Sequence, residues 1–411
     1  MNSQLLLIKH TFLLSLFCFI FARISAQNTL PNLKESLDPK VYDAPKYYAE
    51  TSQDVDEIKA IFYESIKFKG KDTRVFAYLG VPKSDKPVPA MVLVHGGGGT
   101  AFHKWVKLWN DKGYAAIAMS LEGHMPNKRK MGKVKHSYSG PSRVGMFDDI
   151  NSPLKEQWMY HAVSDIMIAH SLIASLPEID ANRIGMTGIS WGGVLSSLTS
   201  GIDTRFKCVA PVYGAGFLYD SQGHFKNMGK GTDIVLKKKR YWDPAKHFAK
   251  SKMPTLWVNG DKDAHFSINI TSQSYDLTKN NAQLSIHPSM PHGHGAGWDT
   301  VKVCEIYTFV DHILKKKGHG LGRITSQPQG LKVKLSYESI VPITEATIYY
   351  LNEAFDYPTK DNKTYPNNWE MTKAEVKGNK VIGQLPKTCK TYYVNLKDEK
   401  GNLITSKLVS L

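Results

Sequence analysis

Cysteine is scarce: the 411 residues hold four, and no two stand in a C-x-x-C pair. A disulfide scaffold and a cysteine-built zinc site are therefore excluded. Beyond residue 26 no apolar run approaches the ~20 residues that a membrane-spanning helix needs. No Gly-Lys-Ser/Thr follows a glycine-rich stretch, and no G-x-G-x-x-G stands with a downstream ribose-binding acid, which argues against a phosphate-cradling loop. No internal repeat is present, which removes solenoids and propellers. Acid is in deficit, with 37 acidic against 53 basic residues and a net charge of +16. Hydrophobic residues at 42% and charged residues at 22% are a globular balance, so wholesale disorder and collagen-like structure are excluded too.

What is present begins with a leader. Lys9 precedes an apolar core at residues 11–21, and Ile24-Ser25-Ala26 offers a cleavage site before Gln27. Residues 1–26 read as a signal peptide, which implies a secreted or periplasmic protein. Cys208, Cys304 and Cys389 remain after it, an odd number, so at least one thiol is free or pairs between chains. Residues 27–56 are polar and proline-containing and read as an arm. Alternating patterns at 61–68 and 75–79 flank Gly70-Lys71-Asp72 and predict an antiparallel hairpin. Short apolar runs follow at 90–94, 114–121, 183–189, 208–212, 255–258 and 283–287. Helical patterns lie between and after them at 102–111, 155–176, 191–199, 268–277 and 298–314. This alternation predicts a mostly parallel sheet covered by helices. The helix at 155–176 reads as amphipathic, and the last helix as stopping at Lys315-Lys316-Lys317-Gly318. From about residue 325 the texture changes to alternating strands with Gly-Asn turns, which predicts a small all-β sandwich over 325–411. The expected layout is therefore a leader at 1–26, an arm at 27–56, an α/β catalytic domain at 57–324 and the sandwich.

Gly188-Ile189-Ser190-Trp191-Gly192 is a G-x-S-x-G motif that follows a predicted strand and opens a predicted helix. That setting suits a nucleophile elbow, which lifts the Ser190 hydroxyl above the sheet. A serine nucleophile needs a base, an orienting acid and donors for the oxyanion. The glycines after His95 (Gly96, Gly97, Gly98 and Gly99) supply main-chain N–H groups, and the N–H of Trp191 is the other expected donor. His95 itself reads as a structural hydrogen-bonder. The acid is expected in Asn259-Gly260-Asp261-Lys262-Asp263. Asp263 is preferred, because the loop has left the strand there, and Asp261 is the alternative. The base is expected in Pro291-His292-Gly293-His294, with His292 preferred over His294.

These stretches, together with Leu176-Pro177-Glu178-Ile179-Asp180 and Arg183-Ile184-Gly185, resemble the α/β-hydrolase superfamily. More narrowly they resemble its acetylxylan esterase and dienelactone-hydrolase-like group, which borders the prolyl oligopeptidase type. The resemblance covers about residues 58–317. It implies an α/β-hydrolase fold followed by the β-sandwich. It also implies that the base stands four residues after a strand-ending proline, which points from Pro288 to His292.

The expected function is hydrolysis of a carboxylic ester, an acetyl-like group on carbohydrate, by Ser190, His292 and Asp263, with no metal or organic cofactor. Lys128-Arg129-Lys130, Lys133 and Lys135 in one loop and Lys237-Lys238-Lys239-Arg240 in another fit either solvated charge or attraction of an anionic polysaccharide. Nucleic acid is disfavoured, since the chain reads as exported and carries no binding motif. Two other functions remain open. One is a serine peptidase of prolyl oligopeptidase type, although too few residues precede His95 for the β-propeller of that group. The other is a non-catalytic carbohydrate-binding protein.

Overall fold

The computed structural model describes residues 32–126, 132–220, 231–249, 251–299, 302–355 and 367–411. The leader at 1–26 and the Lys128-Arg129-Lys130 run lie outside them. Of the described residues, 32–37 and 38–411 form separate units. In the first, a short helix Leu33–Ser36 is capped by Asn32, whose side chain accepts from the N–H of Lys34.

In the second unit the strands run in chain order: β1 (Tyr47–Ala49), β2 (Lys59–Phe68), β3 (Lys71–Gly80), β4 (Val88–Val94), β5 (Ala115–Met119), a small hairpin of β6 (His124–Pro126) and β7 (Lys133–Lys135), β8 (Ile179–Ile189), β9 (Val209–Val212), β10 (Thr255–Lys262) and β11 (Ala282–Pro291). All but β6 and β7 join one nine-stranded sheet in the order β1-β2-β3-β5-β4-β8-β9-β10-β11. The hairpin pairs β2 with β3 antiparallel, and β3 meets β5 antiparallel. From β5 through β11 the neighbours pair parallel. Every residue of β4 and β5 is buried, as a strand covered on both faces must be. The helices Trp158–Ala174 and Trp191–Ser200 pack on each other over β4 and β8. The helices His103–Asn110 and Cys304–Lys315 meet elsewhere, Trp109 lying against Tyr307 with ring centroids 4.9 Å apart.

Two local expectations change. The helix read as amphipathic is buried all round from Trp158 to Ile173, because part of the expected arm folds back over it. Val41 is fully buried, and its carbonyl accepts from Ser171 Oγ at 2.8 Å. The pattern read as one helix over 298–314 divides: His294–Trp298 is one short helix and Cys304–Lys315 another. Asp299 marks the break, since its carboxylate accepts from the N–H of Lys302 and its carbonyl from that of Val303. The last helix stops at Lys315, as expected; Lys316 takes the left-handed conformation with φ +55°, and Gly318 follows with φ +70°. Cys208, Cys304 and Cys389 are all free thiols.

After residue 322 the chain forms β12 (Arg323–Ser326), β13 (Lys332–Glu338), β14 (Ile343–Leu351), β15 (Glu370–Lys377), β16 (Lys380–Gln384), β17 (Thr391–Asp398), β18 (Leu403–Thr405) and β19 (Val409–Ser410). They make one antiparallel sheet in the order β12-β13-β16-β15-β14-β17-β18, with β19 on β17. Val333, Leu335, Ile348, Val381, Val394 and Leu396 form its own apolar core. Among the described residues no helix is long and apolar enough to cross a membrane.

Asp165, midway along the buried helix, accepts a hydrogen bond from Ser65 Oγ, and burial pushes its carboxyl up to about 7. A raised carboxyl favours the fold most below the unfolded value of about 4 and loses that contribution as pH rises through 7. Asp165→Asn should therefore flatten the decline in stability between pH 4 and 7. At pH 8 it should raise the unfolding free energy by about 1–2 kcal/mol, because a loss of ~1.4 kcal/mol per pK unit is removed and partly offset by burying an amide. Urea unfolding of both proteins at several pH values checks this; parallel pH dependences would contradict it.

Candidate active site

Ser190 sits between the end of β8 and the helix Trp191–Ser200 with φ 59° and ψ −122°, a strained conformation for a residue with a Cβ. The flanking glycines permit it. A Cβ on Gly188 would lie 2.1 Å from the Gly192 carbonyl oxygen, and one on Gly192 would lie 2.0 Å from that of Val94. Backbone thus packs on backbone, and Ser190 remains 8% exposed at the tip.

Two strand ends deliver the partners. His292, just past β11, places Nε2 3.0 Å from Ser190 Oγ and Nδ1 2.7 Å from Asp263 Oδ2. Asp263, just past β10, has a fully buried side chain, and its Oδ1 accepts from the N–H groups of His265 at 2.7 Å and Phe266 at 2.8 Å. Two main-chain donors therefore aim the carboxylate, and the carboxylate aims the imidazole. Tyr213 packs on the His292 ring at 4.8 Å and Phe266 at 5.9 Å, while the Tyr213 hydroxyl donates to the carbonyl of Gly293. His294 opens the short helix that follows. Asp261 faces elsewhere: it accepts from the Ser289 N–H and the Tyr393 hydroxyl.

The glycine loop differs in one respect from its reading. The Gly98 N–H donates to Glu122 Oε1 at 2.7 Å, so it is spent on a buried carboxylate and is not a donor for an oxyanion. Gly96, Gly97 and Trp191 remain the candidate donors. Trp191 is the first residue of its helix, where N–H groups point out of the helix end. His95 braces the loop, Nδ1 against the Gly96 carbonyl at 2.7 Å and Nε2 accepting from the Leu121 N–H at 2.9 Å.

Glu122 and Arg143 are the residues that sequence reasoning missed. Arg143 Nε donates to Glu122 Oε1 at 3.2 Å, and its guanidinium lies 5.6 Å from the Trp191 ring. A Cβ on Gly97 would meet Trp191 Cδ1 at 2.6 Å and Arg143 Nη2 at 2.8 Å, so these two side chains clasp the loop. Lys133 Nζ adds a bond to the Gly98 carbonyl at 2.6 Å. No spacing rule flags this set, since Glu122 and Arg143 come from an irregular loop. The metal-capable donors nearest the site are Asp263, His265 and His292, whose ligand atoms lie within 4.8 Å of one another. Two of them already hydrogen-bond in the chain that ends on Ser190.

The acetyl xylan esterase family profile matches residues 41–256, which include the Ser190 elbow and stop before Asp263 and His292. A curated relative, the uncharacterized peptidase YuxL of Bacillus subtilis, is 25% identical over 205 residues, covering 46% of this chain. The match spans only 28% of that relative's length. Among solved structures, an acetyl xylan esterase from Paenibacillus sp. R4 aligns with a TM-score of 0.50 and 17% identity over 64% of this chain and 95% of its own. The acylaminoacyl peptidase of Pyrococcus horikoshii aligns with the same TM-score at 18% identity, over 65% of this chain and 44% of its own. Both likenesses lie in the α/β-hydrolase fold.

Glu122→Ala should free the Gly98 N–H and strip Arg143 of its Nε partner. An aryl acetate assay should then show kcat at least about tenfold lower, a barrier rise of ~1.4 kcal/mol, with KM little changed. Wild-type kcat in a folded variant would show that the clasp does not shape the loop.

Proposed function

The chain belongs to the acetyl xylan esterase family, and we propose that it is a serine carboxylester hydrolase that removes acetyl-like acyl groups from carbohydrate. The observation that carries this reading is the continuous hydrogen-bonded chain from Asp263 through His292 to Ser190. In this mechanism Ser190 Oγ attacks the ester carbonyl while His292 Nε2 takes its proton. Asp263 holds the other ring nitrogen and stabilises the imidazolium that forms. The main-chain N–H of Trp191, with those of Gly96 and Gly97, receives the developing oxyanion, each donor being worth about 10²–10³ in rate. Collapse returns the proton to the departing alcohol oxygen. Water, deprotonated by His292, then releases the acid and restores Ser190.

The substrate reading leans on charge. Lys237, Arg240 and Lys246, against one acid, Asp233, line a cleft of about 540 Å³ beside the helix Asp233–Tyr241, and Arg240 stacks over Tyr219 at 4.9 Å. A cleft of this sign favours an acidic polysaccharide. Export to the periplasm or beyond rests on the leader at 1–26. The reading keeps a catalytic domain at 57–324 and a β-domain at 325–411, although β1 of the larger sheet precedes the first bound and β12 of the smaller sheet begins at Arg323. A second reading, peptide hydrolysis, draws support from the Bacillus subtilis relative and uses the same nucleophile on a different leaving group. A panel of acetylated polysaccharides, aryl acetates and peptides separates the two.

Ser190→Ala should lower kcat on aryl acetate by several orders of magnitude with the fold intact. His292→Ala should abolish turnover and slow labelling of Ser190 by a fluorophosphonate, while His294→Ala keeps measurable activity. More than a few per cent of activity in Ser190→Ala would refute the nucleophile. A reversed histidine ranking would move the base to His294.

A further inference from the structure

The C-terminal sheet reaches the nine-stranded sheet through side chains. β11 is the last strand of that larger sheet, so its outer main-chain groups need partners. At Ile286 both are supplied from the smaller sheet: the N–H donates to Thr405 Oγ1 at 2.8 Å, and the carbonyl accepts from Asn395 Nδ2 at 3.0 Å. Thr405 Oγ1 donates in turn to Asn395 Oδ1 at 2.5 Å, which closes the set.

The next contact lies nearer the reacting groups. The parallel ladder between β10 and β11 runs in register to Gly260 and His287 and resumes only at Lys262 and Pro291. Main-chain pairing is therefore interrupted over Asp261 and residues 288–290 and returns only at the pair directly before Asp263 and His292. Asp261, which stands in that gap, bridges it. Its Oδ1 accepts from the N–H of Ser289 at 2.6 Å, and its Oδ2 accepts from the hydroxyl of Tyr393 at 2.9 Å. Ser289 has φ +58°, an uncommon conformation for a non-glycine residue. Asp261 is two residues before the acid, and Ser289 is three before the base.

Tyr393 belongs to β17 and is itself rigid. It is 1% exposed and stacks on Tyr349 at 5.1 Å with the rings 13° apart. Trp369 packs against it edge-on, with ring centroids 5.0 Å apart. The charged Asp261 carboxylate is buried, which pushes its carboxyl up to about 6, so each donor it keeps matters.

We propose that Tyr393 is a positioning residue for hydrolysis: through Asp261 it locks the acid-bearing and base-bearing segments at their working distance, which makes the C-terminal sheet part of the active site. This rests on the reading of Ser190, His292 and Asp263 as the reacting set. Tyr393 acts on that set through two hydrogen bonds, so its loss should appear in kcat and leave substrate binding nearly untouched.

The test uses the full chain and a small aryl acetate. Tyr393→Phe keeps the ring stack and removes one hydroxyl. Its kcat should fall about tenfold, with KM within about twofold of wild type and the unfolding midpoint within a few degrees. Labelling of Ser190 by a fluorophosphonate should slow by a similar factor. Asp261→Ala should lose at least as much, and the double variant no more than Asp261→Ala alone, because both changes cut one link. Asp261→Asn, which can still bridge Ser289 and Tyr393, should recover most of what Asp261→Ala loses. Wild-type kcat in Tyr393→Phe, losses that multiply in the double variant, or no recovery in Asp261→Asn would each overturn the proposal. Should Tyr393→Phe fail to fold, the comparison of Asp261→Ala with Asp261→Asn still decides it. Ser190→Ala in the same assay keeps the two claims apart. If it stays active, the reacting set is wrong. If it is silent while Tyr393→Phe behaves as wild type, only the positioning role falls.

Discussion

Everything at the candidate site depends on a backbone-to-backbone approach at the elbow. Where Gly192 meets the carbonyl of Val94 there is no room for even one added carbon, and the same holds where Gly188 meets Gly192. That approach seats the helix Trp191–Ser200 against the end of β4 and forces Ser190 to φ 59°. The strain is local. It is supported by a helix whose ten residues are all buried and by main-chain bonds from Ser190 N–H to Val212 and from Val194 N–H to Ser190. With Ser190 placed, the order β8-β9-β10-β11 brings the next two strand ends to it in sequence order, Asp263 from β10 and then His292 from β11.

Buried carboxylates do the finer positioning. Asp263 is aimed by two main-chain N–H groups, Glu122 holds the Gly98 N–H, and Asp261 ties Ser289 to Tyr393. Glu305, fully buried behind β11, bonds His287 and Ser285 and raises the His287 imidazole above its ordinary value in spite of burial. Each of these acids accepts at least two hydrogen bonds. A buried charge persists only when it is satisfied in this way, and a satisfied charge with fixed donors is a stiff joint. Stiffness is what a proton relay over ~3 Å requires.

The sequence made the sheet legible because parallel strands buried on both faces must be short and continuously apolar, and the runs at 90–94 and 208–212 are. Ser190 was legible because an elbow needs glycines two residues to either side. The choice of Asp263 over Asp261 followed from distance past the strand end, and the two side chains do point to different partners. Other features were hidden for physical reasons. Glu122 and Arg143 meet through irregular backbone that has no period to read. Tyr393 reaches Asp261 across 132 residues of chain. The helix Trp158–Ala174 carries a polar face that looked destined for solvent, but Val41 and its neighbours cover part of it, and Ser65 and Tyr63 engage Asp165. The apolar period of the last helix ran on through Asp299, whose side chain and carbonyl together end one helical segment and start the next.

The central claim is that Ser190 carries the acyl group between the two halves of the reaction. The most direct measurement is mass spectrometry of the intact protein, quenched in acid within the first turnover of a slowly hydrolysed aryl ester and followed by peptide mapping. The account predicts a transient gain of one acyl group on the peptide containing Ser190, formed as fast as the first equivalent of phenol appears. Turnover with no acylated protein, or with the acyl group on another residue, would contradict it.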